Sequence, residues 1–70
     1  MDFSQALVAL KAGHTLHRRA WEGKSMIKMI MSQDITLLPY IQQMDTATHN
    51  LVPWAPSQVD LFAHDWEEIA

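Results

Sequence analysis

LVPWAPSQVDLFAHDW, residues 51–66, is the stretch on which the prediction of this fold depends. Proline cannot donate to a sheet ladder, so Pro56 ends the strand predicted before it. Ser57 is a preferred helix N-cap, and Asp60 stands three residues later, where the partner of a capping box belongs. The stretch therefore predicts a strand that ends near Trp54, then a turn, then a short helix.

Apolar residues recur at i, i+3, i+4 and i+7 after Ser57, which is one face of a helix: Val59, Phe62, Ala63 and Trp66. We predict that this face is buried and that Val59, Phe62 and Trp66 are structural. Trp54, Ser57 and Asp60 lie at the open end of the same helix. Free backbone N–H groups at a helix start attract anions, so these three residues are candidate ligand contacts.

The same spacing predicts a first helix over residues 2–12, with an apolar stripe that packs in the core: Phe3, Ala6, Leu7 and Leu10. Asp2 or Ser4 can cap its start, and Gly13 suits the residue that ends it. Residues 14–19 predict a short extended segment, at a sheet edge or exposed on one face, because Leu16 is its only large apolar residue.

Residues 25–31, SMIKMIM, predict the clearest strand. Both of its faces are mostly apolar, which favours cover by the first helix on one side and by a second subunit on the other. Pro53 places the strand 51–54 at an edge or a bulge. The other predicted elements are a turn at Gln33-Asp34, a strand-like run at 35–38, an extended segment at 40–44 and a hairpin loop at 45–50. The order of elements predicts one α+β domain over residues 1–70, with three to five short antiparallel strands.

Composition limits the classes of function. The net charge of −3 argues against a surface for DNA or RNA polymers. With 70 residues and no cysteine, the chain has a small core and no disulfide, which favours oligomerisation. The sequence has neither a signal peptide nor a run of about 20 apolar residues, so we predict a cytoplasmic protein with no membrane partner.

No constellation of residues predicts catalysis or metal binding. The four histidines lack metal-ligand spacing, and two glycines cannot form a phosphate loop. Asp65, Glu67 and Glu68 are interpreted as a solvated acidic end. We therefore expect no enzyme, no cofactor and no metal. Nucleotide recognition requires no catalytic group or metal: indoles stack on bases, arginine binds phosphate, and a helix start binds anions. The residues that offer this are Arg18, Arg19, Trp21, Tyr40, Trp54 and Ser57. A purely structural role for the tryptophans and arginines remains the alternative.

Three stretches carry a resemblance to a known family: FSQALVALKAG, RRAWEGK and LVPWAPSQVDLFAHDW. They resemble, in this order, the pattern F-x-E-A-L-x-x-L-K-x-G, R-x-x-W-x-G-K and W-x-P-S-x-x-D-L-x-A-x-D-W of the second Thoeris anti-defence family, small phage and prophage proteins. The match covers almost the whole chain. It departs from the pattern at Gln5, where the family has an acidic residue, and the chain is compact between Ser32 and Asn50.

The resemblance implies a sponge rather than an enzyme. Members bind the cyclic ADP-ribose isomers that Thoeris TIR-domain enzymes release, and they hold the signal without cleaving it. Some members also capture cyclic oligonucleotides of CBASS signalling at a separate site. The family assembles as homotetramers with ligand sites at subunit interfaces. On this basis we expect a homotetramer that acts in the cytoplasm of the bacterial host.

The resemblance also implies the site residues. The matching positions are Phe3, Arg18, Trp21, Trp54, Ser57 and Asp60. We expect an indole to stack on adenine, Arg18 to face the pyrophosphate, Ser57 to bind a further phosphate or ribose oxygen, and Asp60 to accept from a ribose hydroxyl. Residues 26–31 and the first helix would form the subunit contacts. The main alternative is a phage-encoded protein–protein inhibitor of a host enzyme, and a small nucleotide hydrolase is a weaker one.

Overall fold

Two helices, a 3-10 turn and five strands follow one another in the computed structural model, which describes residues 1–31 and 38–69. Their bounds, in chain order, are α1 (Phe3–Lys11), β1 (Leu16–Arg18), the 3-10 turn (Arg19–Trp21), β2 (Ser25–Ile30), β3 (Tyr40–Asp45), β4 (Leu51–Pro53), α2 (Gln58–Phe62) and β5 (Trp66–Glu68). The predicted α+β class, with an N-terminal helix, an antiparallel sheet and a short C-terminal helix, is confirmed. The predicted turn at Gln33-Asp34 and the run at 35–37 lie outside the described residues.

Helix α1 starts with a closed capping box. The Gln5 backbone N–H donates to Asp2 Oδ1 at 2.9 Å, and the Asp2 backbone N–H donates to Gln5 Oε1 at 3.0 Å. Glutamine can complete a capping box as glutamate does. The helix start is therefore preserved although Gln5 differs from the acidic residue of the family pattern. Gly13 follows the helix with φ 94°, a conformation that glycine adopts without strain.

The core lies between α1 and one face of the sheet. Its buried members come from the helix and from three strands: Ala6, Ala9, Leu10, Leu16, Ile27 and Trp66. Phe3 is half-buried and packs against this cluster. Three of the four residues of the predicted stripe, Phe3, Ala6 and Leu10, therefore lie on the core face of the helix; Leu7 is half-buried outside the cluster, and Ala9 is buried in addition.

Of the two predicted placements of β1, at a sheet edge or exposed on one face, the sheet edge is wrong. The five strands are ordered β4-β3-β2-β1-β5, so β1 lies inside the sheet, and Leu16 is fully buried. The reason is a long-range pairing, in which the chain returns as β5 and sets His17 opposite Glu67 and Arg18 opposite Trp66. The prediction from Pro53 holds, because β4 is an edge strand.

The predicted buried face of the last helix is also wrong for two residues. Val59 and Phe62 are 70% and 77% exposed. Helix α2 ends at Phe62, and Ala63 already has extended backbone with φ −70° and ψ 152°. Trp66 is 1% exposed as predicted, but it belongs to β5. Val59 and Trp66, seven positions apart, would share a face only in a continuous helix, and α2 has five residues.

In the described part of the chain, the sheet face opposite α1 is partly exposed: Tyr40 and Leu51 are exposed, and Met26 and Met44 are half-buried. Neighbours along a strand point to opposite faces, so Met26 points away from the side on which Ile27 joins the core. Register places Met44 opposite Met26, and Leu51 opposite Met44, in one apolar row across three strands. We call this surface the open sheet face. Other residues on it are Lys28, Ile30, Tyr40 and Gln42.

Candidate functional site

Four aromatic rings form a cluster centred on Trp66. Its ring centroid lies 5.5 Å from that of Phe3, 5.2 Å from that of Trp21 and 5.7 Å from that of Trp54. Both tryptophan neighbours meet it edge-on, at 83° and 86°, which is a favoured arrangement for aromatic pairs. Three of the predicted ligand residues therefore pack around one buried indole. All three remain half-buried rather than fully covered.

The aromatic cluster joins the two edges of the sheet. Trp66 opens β5 at one edge, and Trp54 directly follows β4 at the other. Adjacent strands lie about 4.8 Å apart, so a flat sheet would separate the outer two of five strands by about 19 Å. Since the two indole centroids are 5.7 Å apart, the sheet curls until residues from both edges touch.

Arg18 lies between two carboxylates. Its Nη1 donates to Asp60 Oδ1 at 2.9 Å, its Nε donates to Asp65 Oδ1 at 2.8 Å, and its Nη2 reaches Asp65 Oδ2 at 3.5 Å. The three side chains are 13%, 15% and 26% exposed for Arg18, Asp60 and Asp65. This network ties β1 to α2 and to the start of β5.

Asp60 connects the ion-pair network to the aromatic cluster. Its backbone carbonyl accepts from Trp66 Nε1 at 3.0 Å. Its side chain accepts from the Ser57 backbone N–H at 3.1 Å, while its own N–H donates to Ser57 Oγ at 3.2 Å, and this is the predicted capping box. All six predicted residues thus belong to one connected set of contacts. Tyr40 lies on the open sheet face, and the Arg19 side chain is 77% exposed beside Glu67, so neither side chain belongs to this set.

Asp65 also belongs to this set, and its prediction as part of a solvated acidic end is wrong. Its Oδ2 accepts from the Ala20 backbone N–H at 2.9 Å, and its carbonyl accepts from the Arg19 N–H at 3.0 Å. These contacts depend on the pairing of β1 with β5, which joins residues 48 positions apart. The residues around Asp65 in the sequence do not indicate this pairing, so its role could not be predicted from them.

The hydrogen bonds keep both carboxylates ionised. The bonds from Arg18 are the main cause that lowers the pKa of Asp65, and Ala20 adds to it against a smaller effect of burial. Burial by itself would raise the pKa of Asp60, but the bonds from Arg18 and Ser57 outweigh it and the pKa is lowered. The bond to Asp65 leads the interactions that raise the pKa of Arg18. The three groups together carry one net negative charge, and the contact of Arg18 with a pyrophosphate stays a prediction.

The cavities of the described chain are shallow. One of about 290 Å³ lies between the first turn of α1 and the end of α2, and Phe3 and Phe62 are among its walls. Two others, of about 230 Å³ and 100 Å³, lie on the two faces of the sheet. Ligand pockets usually measure about 300–1,000 Å³, so each of these is small for a nucleotide. Among the described residues, no group of three histidines and carboxylates is placed to hold a metal ion.

Comparison with known proteins assigns the family. A family model described as the Thoeris anti-defense 2-like domain matches residues 1–69. A relative named Thoeris anti-defense 2, from Bacillus phage SP01, is 31% identical over 85 aligned positions, which cover 100% of this chain and 96% of the relative. The alignment is longer than the 70-residue chain, so it contains gaps in this chain. The chain therefore belongs to the Thoeris anti-defense 2-like family.

Proposed function

We propose that this protein inhibits Thoeris defence by sequestering a cyclic ADP-ribose isomer without cleaving it. Membership of the family supports the anti-defence role, since the Bacillus phage relative carries that name. The observation that carries the choice of ligand is the connected set of aromatic rings, arginine and helix start. Phe3, Trp21 and Trp54 supply ring surfaces, and Arg18, Ser57 and Asp60 supply polar contacts within the same network.

The rings would bind the adenine and the polar residues the rest of the ligand. Trp21 and Trp54 are half-buried, so each keeps part of an indole surface for a base. Ser57 and Asp60 lie at the start of α2, where Asp60 offers carboxylate oxygens to a ribose hydroxyl. Arg18 uses three of its five N–H groups on Asp60 and Asp65, which leaves two donors for a phosphate oxygen.

The state of the carboxylates favours binding over catalysis. A general base works best when its pKa is close to the working pH. The pKa of Asp60 and that of Asp65 are both lowered from the ordinary value of 3.8, which makes each a weak base at neutral pH. Both are also held by Arg18, so neither is placed to activate a water molecule. A protein with this site holds a nucleotide intact.

A homotetramer with ligand sites at subunit interfaces completes the proposal. The three cavities found among the described residues are small for a cyclic nucleotide, which supports a second chain as part of the enclosure. The open sheet face offers a contact surface, since Leu51 is 57% exposed and Tyr40 is 47% exposed. Burial of these side chains in an assembly removes apolar surface from water. Light scattering that gives a stable monomer at micromolar concentration would refute this assembly.

We further propose that the protein acts in the cytoplasm of the infected host, where the signal is produced. In the described part of the chain, no helix is long and apolar enough to cross a membrane. Cyclic oligonucleotides of CBASS signalling are proposed as further ligands at a separate site. A competition experiment tests whether the two sites are separate. If a cyclic oligonucleotide binds at its own site, both ligands are retained together, and the retention of cyclic ADP-ribose is unchanged.

The test measures retention and recovery of the ligand. Purified protein is mixed with cyclic ADP-ribose isomers, free ligand is removed by filtration, and the protein is then heat-denatured. We expect the filtrate to be depleted of ligand and the denatured sample to release it with unchanged mass. Release of a hydrolysed product would show an enzyme, and an undepleted filtrate would exclude binding.

A matched pair of variants locates the site. Trp54→Leu removes an indole of the aromatic cluster and should reduce retention about 5- to 150-fold, as expected for a lost stacking contact of about 1–3 kcal/mol. Leu38→Ala shortens an apolar side chain that is 86% exposed and lies outside both the cluster and the open sheet face. Both variants are compared at a temperature where circular dichroism shows them folded. Equal retention by the two variants would place the ligand elsewhere.

Inhibition of a host enzyme by direct contact is the second candidate. It is favoured by the exposed apolar side chains of α2, of which Phe62 is 77% exposed and Val59 is 70% exposed. This function predicts that a Thoeris protein co-purifies with the chain and that no nucleotide is depleted. The Phe62→Ser variant would then lose anti-defence activity while the Trp54→Leu variant keeps it.

A further inference from the structure

Asp65 contacts three consecutive residues that lead to Trp21. Its carboxylate accepts from Arg18 Nε at 2.8 Å and from the Ala20 N–H at 2.9 Å, and its carbonyl accepts from the Arg19 N–H at 3.0 Å. Trp21 ends the 3-10 turn that these bonds fix. A single residue therefore determines the place of the guanidinium and the path of the backbone that carries the indole.

The two carboxylates on Arg18 are anchored to different degrees. Asp65 directly precedes Trp66, which is fully packed and paired with Arg18 across the sheet. Asp60 lies on α2, a five-residue helix in which no side chain is fully buried. Asp65 is thus the fixed partner of Arg18, and Asp60 is the partner that can move with its helix.

The way in which Asp65 binds Arg18 leaves donors available. It takes the edge formed by Nε and Nη2, at 2.8 and 3.5 Å, and Asp60 takes one hydrogen of Nη1. Each terminal nitrogen carries two hydrogens, so within the described chain one on Nη1 and one on Nη2 are left. Both remaining hydrogens are charged donors, which form strong hydrogen bonds to phosphate oxygens.

We propose that Asp65 is a positioning residue of the ligand site. It holds the Arg18 guanidinium in the plane that presents two donors, and it sets the position of Trp21, without itself touching the ligand. This inference rests on the proposed function, because it requires a phosphate on Arg18 and a ring on Trp21. The ligand class that follows is a nucleotide in which a phosphate and a base are held by residues three positions apart.

The experiment measures the affinity for cyclic ADP-ribose by equilibrium dialysis in wild type and three variants. Asp65→Asn should weaken binding on the order of tenfold, the lower end of the range of about 10–100-fold seen when the partner behind a metal ligand is lost. Asp65→Glu keeps the carboxylate and should restore part of the loss. Glu67→Gln removes the same charge two residues away, at an exposed pair with Arg19, and should stay within twofold of wild type.

A double-mutant cycle separates positioning from an independent or structural effect. If Asp65 acts through Arg18, then Asp65→Asn in an Arg18→Gln background should cost less than threefold, since its partner is already lost. Losses that simply multiply would show that Asp65 does not act through Arg18, and would overturn the inference that it positions the guanidinium. A loss of fold alone lowers the active fraction equally in both backgrounds.

Nuclear magnetic resonance of the wild-type protein tests the positioning role without any variant, so this test does not depend on whether a variant folds. The Ala20 amide and Arg18 Nε–H resonances should shift when cyclic ADP-ribose is added, while both remain protected from exchange. Resonances that do not respond would overturn the positioning role even if the ligand binds. Absence of binding to the wild type would overturn the proposed function and this inference together, whereas wild-type affinity in Asp65→Asn would overturn this inference alone.

Discussion

Helices α1 and α2 begin in the same way and are held in different ways. Each starts with a capping box, Asp2 with Gln5 in α1 and Ser57 with Asp60 in α2. Each also carries apolar residues at helical spacing. Three residues of α1 are buried and none of α2 is. The difference teaches that a capping box and an amphipathic pattern can start a helix without deciding which side of it meets the core.

Length explains the difference between the two helices. α1 has nine residues, so its stripe lies on one continuous face that reaches Leu10. α2 has five residues, and the chain becomes extended at Ala63 because Trp66 is needed in β5. The contacts that hold α2 are then polar ones made by Asp60, to Arg18 and to the indole N–H of Trp66.

The largest difference in stability between the two helices is expected when one leucine in each is shortened to alanine. Leu10→Ala removes a fully buried side chain and should lower the free energy of unfolding by about 2–5 kcal/mol. Leu61→Ala in α2 changes the same atoms at a site that is 39% exposed, and should cost about 1 kcal/mol or less. Urea unfolding measures both. Similar losses would mean that α2 is packed as α1 is.

The second-largest difference in stability is expected when one aspartate in each capping box is replaced by asparagine. Asp60→Asn removes the carboxylate that Arg18 contacts and should cost about 2 kcal/mol, below the range for fully buried pairs because the site is partly exposed. Asp2→Asn should cost no more than a few tenths of a kcal/mol, since asparagine caps helices well. Chemical denaturation of the two variants gives the comparison. An equal loss would show that Asp60 acts only as a cap.

The pH dependence of stability should show the same network. The pKa values of Asp60 and Asp65 are lowered in the folded state, so their stabilising effect is complete above the unfolded value of 3.8. It is lost as the pH falls through the lower folded values. The stability gap between wild type and Asp60→Asn should therefore stay constant from pH 7 to about 5 and shrink below about 4. A gap that closes between pH 7 and 5 would contradict this assignment.

The smallest effect is expected at the exposed face of α2. Phe62→Ser should change the stability of the dilute chain by no more than about 0.5 kcal/mol, because Phe62 is 77% exposed. The measurement is thermal unfolding at a concentration where light scattering gives the monomer mass. A large loss in the dilute chain would mean that the side chain packs within it. A loss confined to higher concentration would instead place Phe62 in a subunit contact.

Local signals in the sequence were enough for the elements that depend on near neighbours. The stripe of α1, its end at Gly13, a strand at 25–31 and the capping box at Ser57 are predictable because each follows from residues a few positions apart; the observed strand ends one residue earlier, at Ile30. The position of β1 and the role of Asp65 are not, because both depend on pairing residues 16–18 with 66–68. The six candidate site residues were named from motifs, and the contacts that connect them include the same distant pairing.

The curl of the sheet has a consequence for spectroscopy. The three tryptophans of the chain stand at positions 21, 54 and 66, and two of them meet the third at 5.2 and 5.7 Å. All indole emission therefore arises from one cluster that exists only when both edges of the sheet have come together. Fluorescence should report a single transition for the whole chain, and the near-ultraviolet circular dichroism of the coupled indoles should vanish with it.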